Sequence, residues 1–236
     1  MIFFNKAWES DISSTYAAGT ILGYISLIFF PIPQLFSCTT PTAVLTYTCA
    51  AGVVFLIFSC SLLTLDNQEI PLQKKIGIAL PDRKIFKEAV YLLCGLLPAI
   101  WLITWHWKFT LKKLEIPFAD KQNILQLIDI SKPLELFLLI LMAVIIIPAV
   151  EELIYRRIIF GELSKISGVN LAGFAASGIF SAAHAYLAGV PGLFLAGLTF
   201  QWFYSKKQNL AAGILLHALF NAVSIIFIVI SQLYES

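Results

Sequence analysis

Charged residues are scarce in this chain of 236 residues. They make up 13% of the sequence, whereas hydrophobic residues make up 59%. Because a water-soluble domain carries about 25% charged residues, the composition excludes an ordinary soluble globule. It predicts an all-α fold, a polytopic transmembrane helix bundle. The formal net charge of +2 is too small to indicate a nucleic-acid partner.

Cysteine is also rare, and no metal-binding spacing is present. The four cysteines stand singly in apolar runs, without a CxxC pair, and the chain contains no HExxH sequence. This pattern favours small buried hydrophobic residues over disulfides or metal ligands. A convincing signal peptide is lacking as well, because charged residues precede the first long apolar run and no small-residue cleavage site follows it. We therefore expect a short cytoplasmic lead into a first span.

Long apolar runs, separated by charged loops, are what the chain has in abundance. A run of about 20 apolar residues is long enough to cross a bilayer. The runs predict seven spans, with an eighth left open, near 15–35, 42–65, 89–107, 133–156, 171–187, 190–204 and 209–232. Gly189, Pro191 and Gly192 predict a tight turn between the fifth and sixth spans.

The distribution of Lys and Arg predicts the orientation. With the N-terminus inside, eleven of these residues fall in inside segments and five in outside segments. Inside segments of membrane proteins are the richer in Lys and Arg, so a cytoplasmic N-terminus is expected. All five Lys and Arg residues of the outside segments lie in 108–132. That segment is interpreted either as an amphipathic helix on the membrane surface or as part of a missed span.

Three segments place ionisable or strongly polar side chains inside apparently lipid-embedded helix, and the first is an EExxxR string. Glu152 and Arg156 stand four residues apart, in the order that favours an ion pair. Glu151 points about 100° away from Glu152, on the same face as Tyr155. Arg156 and Arg157 are expected to snorkel to the interface. Alternatively, the string is simply a helix end whose charges reach water.

The other two segments are FxxxH, with Phe180 and His184, and HxxxN, with His217 and Asn221. Taken singly, a lone histidine is more often a packing residue, and an asparagine can hydrogen-bond helices together. Taken together with the carboxylates, these groups are suited to activating water and stabilising an oxyanion. They are equally suited to holding a metal ion.

The ordered set EExxxR, FxxxH and HxxxN resembles the CPBP family. This family comprises CAAX proteases and bacteriocin-processing proteins, also called Abi, and includes the eukaryotic type II CAAX prenyl endopeptidase. The resemblance extends to the apolar frame 209–217 that leads into the last motif. It implies a variable N-terminal transmembrane region, 1–132, with amphipathic loops, and a catalytic transmembrane core, 133–236.

The resemblance also implies roles for individual residues in peptide-bond hydrolysis inside the membrane, without a cofactor. Glu151 and His184 would activate a water molecule, and His217 and Asn221 would stabilise the oxyanion. Glu152, Arg156, Tyr155 and Phe180 would support the site. The expected substrate is a membrane-tethered peptide or a lipidated protein C-terminus. The expected setting is membrane lipid, in a prokaryotic cytoplasmic membrane.

Three alternatives remain open from the residues alone. A zinc protease would use Glu151, His184 and His217 as a His₂Glu ligand set. A non-catalytic scaffold or bacteriocin-immunity protein would bind a partner in the membrane. A proton-coupled transporter is also conceivable, although no inverted repeat is visible.

The depths in the membrane expected for Glu151, His217 and His184 do not agree with a single shared site. At about 1.5 Å per residue, Glu151 falls roughly 8 Å inside the basic interface, and His217 falls roughly 12–15 Å inside it. His184 falls nearer 20 Å if its helix begins at Leu171. The groups would meet if that helix starts outside the bilayer, tilts, or follows a surface turn around Gly161–Gly168.

Overall fold

The computed structural model describes residues 12–29, 40–65, 72–119 and 131–235, and within these ranges the chain forms helices and no strand. The helices are α1 (Ser14–Phe29), α2 (Pro41–Leu65), α3 (Leu72–Ile76), α4 (Arg83–Lys113), α5 (Pro133–Ser167), α6 (Val169–Ala183), α7 (Val190–Lys207) and α8 (Leu210–Glu235). Five helical stretches, namely α2, α4, α5, 187–207 and α8, are long and apolar enough to cross a membrane. The prediction of an all-α polytopic membrane bundle is confirmed.

Helix α5 is the centre of the bundle. It packs against α1, α2, α6 and α8. Its 35 residues include two π-helical segments, Leu141–Ile146 and Leu153–Ile159, which flank the short α-helical stretch Ile147–Glu152. A π turn shifts the direction of the side chains that follow it and often occurs at functional sites.

The predicted end of the fourth span near residue 156 is wrong. Helix α5 continues for eleven residues beyond Arg156, to Ser167, and stops at Gly168. The prediction took the paired arginines as a membrane interface, but both are buried inside the bundle. Gly168 has a φ of +76°, which glycine adopts without steric cost. Helix α6 then returns antiparallel to α5.

The tight turn between the fifth and sixth spans lies earlier than predicted. Helix α6 ends at Ala183, and Ala185 adopts a positive φ of 47°. A 3₁₀ turn, Leu187–Gly189, follows. Pro191 therefore lies in the first turn of α7, where a missing N–H costs no helical hydrogen bond. The predicted amphipathic stretch around residues 124–128 lies outside the described residues.

The start of α8 is held by Asn209. Its carboxamide accepts a hydrogen bond from the Ala79 N–H at 3.0 Å and donates to the Ala79 carbonyl at 2.9 Å. The Leu210 N–H donates to the Gly77 carbonyl at 2.8 Å. The loop between α3 and α4 is thereby tied to the beginning of α8, the helix that carries the HxxxN motif.

We expect Asn209→Ala to lower the thermal unfolding temperature of the purified protein in detergent. Three backbone groups, namely the N–H groups of Ala79 and Ala211 and the Ala79 carbonyl, would lose this side-chain partner, and each such loss costs about 1–3 kcal/mol. Gln73→Ala, at an exposed side chain on α3, is the control and should change the unfolding temperature little. Equal unfolding temperatures for wild type and Asn209→Ala would contradict this role.

Candidate active site

The predicted ion pair between Glu152 and Arg156 is present. Arg156 Nε lies 3.2 Å from Glu152 Oε2, and both side chains are 0% exposed. The carboxylate also packs against Gly213 of α8, where a Cβ atom would lie 2.8 Å from Oε2. A larger residue at Gly213 would therefore push the carboxylate away. The Glu152 carboxylate thus joins α5 to α8.

The arginines do not snorkel as predicted. The Arg156 guanidinium lies over the ring of Phe180 at 4.8 Å and over that of Phe200 at 5.8 Å. Arg157 is 1% exposed and hydrogen-bonds the Tyr204 side chain. Anionic and aromatic partners in the interior thus take the place of water at the interface.

The His217 ring lies between the two carboxylates of the EExxxR motif. Its Nδ1 is 3.1 Å from Glu152 Oε1, and its Nε2 is 3.7 Å from Glu151 Oε2. Since an ionised carboxylate only accepts hydrogen bonds, the first contact assigns a proton to Nδ1. The second distance is longer than a hydrogen bond. Nε2 and Glu151 therefore face each other without forming a hydrogen bond.

Aromatic rings hold the imidazole in this orientation. Phe200 of α7 stacks on His217 with ring centroids 4.7 Å apart, and Phe180 of α6 meets it edge-on at 5.8 Å. His217 is 3% exposed, whereas the Glu151 side chain is 13% exposed. Of the two facing groups, the carboxylate is thus the more accessible.

His184 lies at the C-terminal end of α6, next to Phe180. Its Nδ1 hydrogen-bonds the Phe180 carbonyl at 2.7 Å, and the two rings are 4.6 Å apart. Because a carbonyl oxygen only accepts hydrogen bonds, this contact places the proton on Nδ1 and leaves Nε2 with a lone pair. Among the described side chains, His184 and Glu151 share no hydrogen bond or ion pair.

The sequence places His184 deeper in the membrane than Glu151, but the register of the α5–α6 hairpin brings the two residues to the same depth. Gly168 lies 17 residues after Glu151 and 16 residues before His184. At 1.5 Å per residue, these separations are about 25 and 24 Å. The rings of Tyr155 and Phe180 meet across the hairpin at 5.3 Å, which independently fixes this register. Glu151 and His184 therefore stand at the same level of neighbouring helices.

Asn221 bridges α8 and α5 through a backbone carbonyl. Its Nδ2 donates to the Ala143 carbonyl at 2.7 Å. In a regular α-helix, Pro148 would free the carbonyl of Val144, as the sequence suggests. Here the preceding segment is π-helical, with Ile147 bonded to the carbonyl five residues earlier. The next acceptor in that pattern is Ala143, so Asn221 supplies the hydrogen bond that Pro148 cannot.

Tyr24 of α1 is a site residue that the sequence analysis missed. Its hydroxyl lies 3.2 Å from the Tyr155 hydroxyl, and both phenols are close enough to Glu151 to interact with it electrostatically. No spacing rule identifies it, because Tyr24 stands in an ordinary apolar run far from the three motifs. Only the packing of α1 against α5 brings it to the site.

The structure thus brings together Glu151, Glu152, Arg156 and His217, with Phe180 and Tyr155 as walls. His184 and Asn221 stand at the edges of this cluster. Within the described ranges, no three His, Cys, Asp or Glu side chains are grouped so as to hold a metal ion.

Comparison with known proteins gives matches over part of the chain. Residues 133–223 match the family model described as type II CAAX prenyl endopeptidase Rce1-like. A putative membrane peptidase, YdiL, of Bacillus subtilis is 31% identical over 114 residues, which is 48% of this chain and 44% of the relative. The membrane-embedded CAAX protease MroQ of Staphylococcus aureus is 34% identical over 111 residues, or 44% of each chain. No solved structure matches significantly.

The matched segment spans less than half the length of these curated relatives. The family model contains all three polar motifs, from Glu151 to Asn221, and excludes α1 through α4. Residues 133–223 of this integral membrane protein are therefore similar to the type II CAAX prenyl endopeptidase Rce1-like family.

Proposed function

We propose that the protein is an intramembrane endopeptidase that hydrolyses a peptide bond near the membrane-embedded end of its substrate. The observation that carries the proposal is the placement of Glu151. Its carboxylate is partly accessible, faces the Nε2 atom of a buried histidine at 3.7 Å, and shares its level with a second histidine. A carboxylate with a histidine beside it can activate a water molecule.

In this proposal Glu151 and His184 polarise and deprotonate the attacking water. The scissile carbonyl would approach the facing atoms Glu151 Oε2 and His217 Nε2. Glu152 holds the His217 proton at Nδ1, so Nε2 donates a hydrogen bond when the ring is an imidazolium. An imidazolium also balances the charge of two carboxylates and one guanidinium, and its donor would stabilise the oxyanion of the tetrahedral intermediate.

Asn221 has a second role in the proposal. A carboxamide has two N–H donors, and the Ala143 carbonyl accepts only one of them. The remaining donor stands one helical turn from His217 on α8 and is available to the same oxyanion. The Glu152–Arg156 pair contacts no reacting atom in this scheme and acts by positioning His217.

The proposed substrate is a membrane-tethered peptide or a lipidated protein C-terminus, because three helices that form the site, α5, α7 and α8, belong to stretches long and apolar enough to cross a bilayer. The proposed reaction needs no metal. The zinc alternative, with Glu151, His184 and His217 as ligands, predicts loss of cleavage after treatment with a chelator and recovery with added zinc. The metal-free scheme predicts neither.

Glu151→Gln tests the proposed function directly. The substitution keeps the shape of the side chain and removes the base, so we expect a loss of cleavage of at least about 100-fold. Quantitative profiling of N- and C-terminal peptides from bacterial membranes measures this loss. New membrane-proximal termini should appear with the wild type and be absent with the variant at equal expression.

Glu135→Gln is the matched control for that experiment. Glu135 is a buried carboxylate on the same helix, hydrogen-bonded to Thr42 at 2.7 Å, and it lies four helical turns before the site. This variant should give the wild-type set of termini. Identical profiles for wild type and Glu151→Gln would contradict proteolysis and favour a scaffold that binds its partner without cleaving it.

A pair of substitutions separates the two roles of Asn221. Asn221→Ala should lower the unfolding temperature, because the Ala143 carbonyl loses its donor at a cost of about 1–3 kcal/mol. Adding Pro148→Ala supplies a backbone N–H and should restore much of that stability. If Asn221 also binds the oxyanion, the double variant stays about 100-fold or more less active, as expected for a lost oxyanion donor.

Thermal unfolding and the rate of appearance of new termini are the two measurements, with Pro148→Ala alone as the reference. Recovery of both stability and cleavage in the double variant would show that Asn221 acts only through the helix.

A further inference from the structure

The hydroxyl groups of Tyr24 and Tyr155 provide two O–H donors, and the hydrogen bond between them uses only one. The two oxygens are 3.2 Å apart, and either one can be the donor. Each phenol carries one O–H. One proton closes the hydrogen bond between them, and the other remains to be donated to a third group.

Glu151 is an acceptor of the right charge beside this pair. Its Oε2 atom is buried and has no hydrogen-bond partner. A buried carboxylate oxygen without a donor is costly, and a hydrogen bond to a charged group is worth about twice one between neutral groups. Both phenols interact electrostatically with this carboxylate. A side-chain rotation or a single bridging water would connect the donor to this acceptor.

Tyr24 is held firmly in this position by its neighbours. Its ring meets Phe55 of α2 at 5.8 Å and Tyr155 at 5.9 Å, the latter edge-on. The adjacent Gly23 lies so close to Phe58 that a Cβ atom there would be 3.1 Å from its ring. Helix α1 is therefore packed tightly against α2, and the Tyr24 hydroxyl points toward α5.

We propose that Tyr24 is a positioning residue for Glu151, acting with Tyr155 to orient the carboxylate toward His217. Helix α1, which lies outside the family match, then forms one wall of the site, opposite α8. This inference rests on the proposed function, in which Glu151 is the base. It assigns a functional contact to the N-terminal region, for which the motifs predict none.

A double-mutant cycle on stability tests the contact without any substrate. The unfolding temperatures of Tyr24→Phe, Glu151→Gln and the double variant are compared with the wild type in the same detergent. Coupled residues give non-additive effects, whereas residues without a shared partner give additive ones. We expect the double variant to lose less than the sum of the single losses.

Tyr16→Phe is the matched control, because Tyr16 is a half-buried tyrosine two turns earlier on α1. Its effect should add to that of Glu151→Gln. Additive effects for Tyr24→Phe as well would overturn the proposal, whether or not the protein proves to be a protease.

A kinetic measurement separates positioning from simple packing. The probe is a synthetic peptide that spans the cleavage site found by terminal profiling. Tyr24→Phe should lower kcat about tenfold, the lower end of what supporting partners of functional side chains contribute, and leave KM within about twofold. Tyr155→Phe should behave alike, and the two together should lose little more. An unchanged kcat would overturn the proposal, and absence of cleavage by wild type would instead count against the proposed function.

Discussion

The structure depends on a pair of opposite charges buried in the bundle. Glu152 and Arg156 are one helical turn apart and fully buried, and breaking such a pair leaves a charge that costs about 3–5 kcal/mol. The carboxylate keeps a second partner on α8, because its other oxygen holds His217 Nδ1. The guanidinium is covered by aromatic rings from α6 and α7. One ion pair thus sets the positions of three helices around α5.

Glu151 is available to act as a base because Glu152, its neighbour, is the carboxylate that binds Arg156 and His217 Nδ1. Glu151 and Glu152 are adjacent in sequence, but only Glu152 is tied to both a cation and an imidazole. The π-helical segments on either side adjust the direction of both side chains, and Asn221 supplies the hydrogen bond missing at Pro148. In the EExxxR and HxxxN motifs, Glu152 binds Arg156 and orients His217, and the other nitrogen of the His217 ring lies 3.7 Å from Glu151.

Much of this arrangement follows from local rules. The apolar runs predict the helices, and four-residue spacing predicts the pair of Glu152 with Arg156. Spacing could not show that Arg156 and Arg157 stay inside, because snorkelling and internal pairing use the same residues, and only the rings of α6 and α7 decide between them. The depth of His184 depends on where α5 ends. The helix ends at Gly168, eleven residues beyond Arg157, which was expected at the interface. Tyr24 carries no local signal at all, since its contact spans 131 residues of chain.

The arrangement of the site depends on the coupling between Glu152 and Arg156, and one double-mutant cycle measures this coupling. Thermal unfolding in detergent would be followed for Glu152→Gln, Arg156→Met and the combined variant. Each single variant should unfold at a much lower temperature than the wild type, because it leaves one buried charge without its partner. The combined variant should be more stable than the sum of the two losses predicts. Small and additive effects would contradict the account, because they would mean that these charges are not paired in the folded protein.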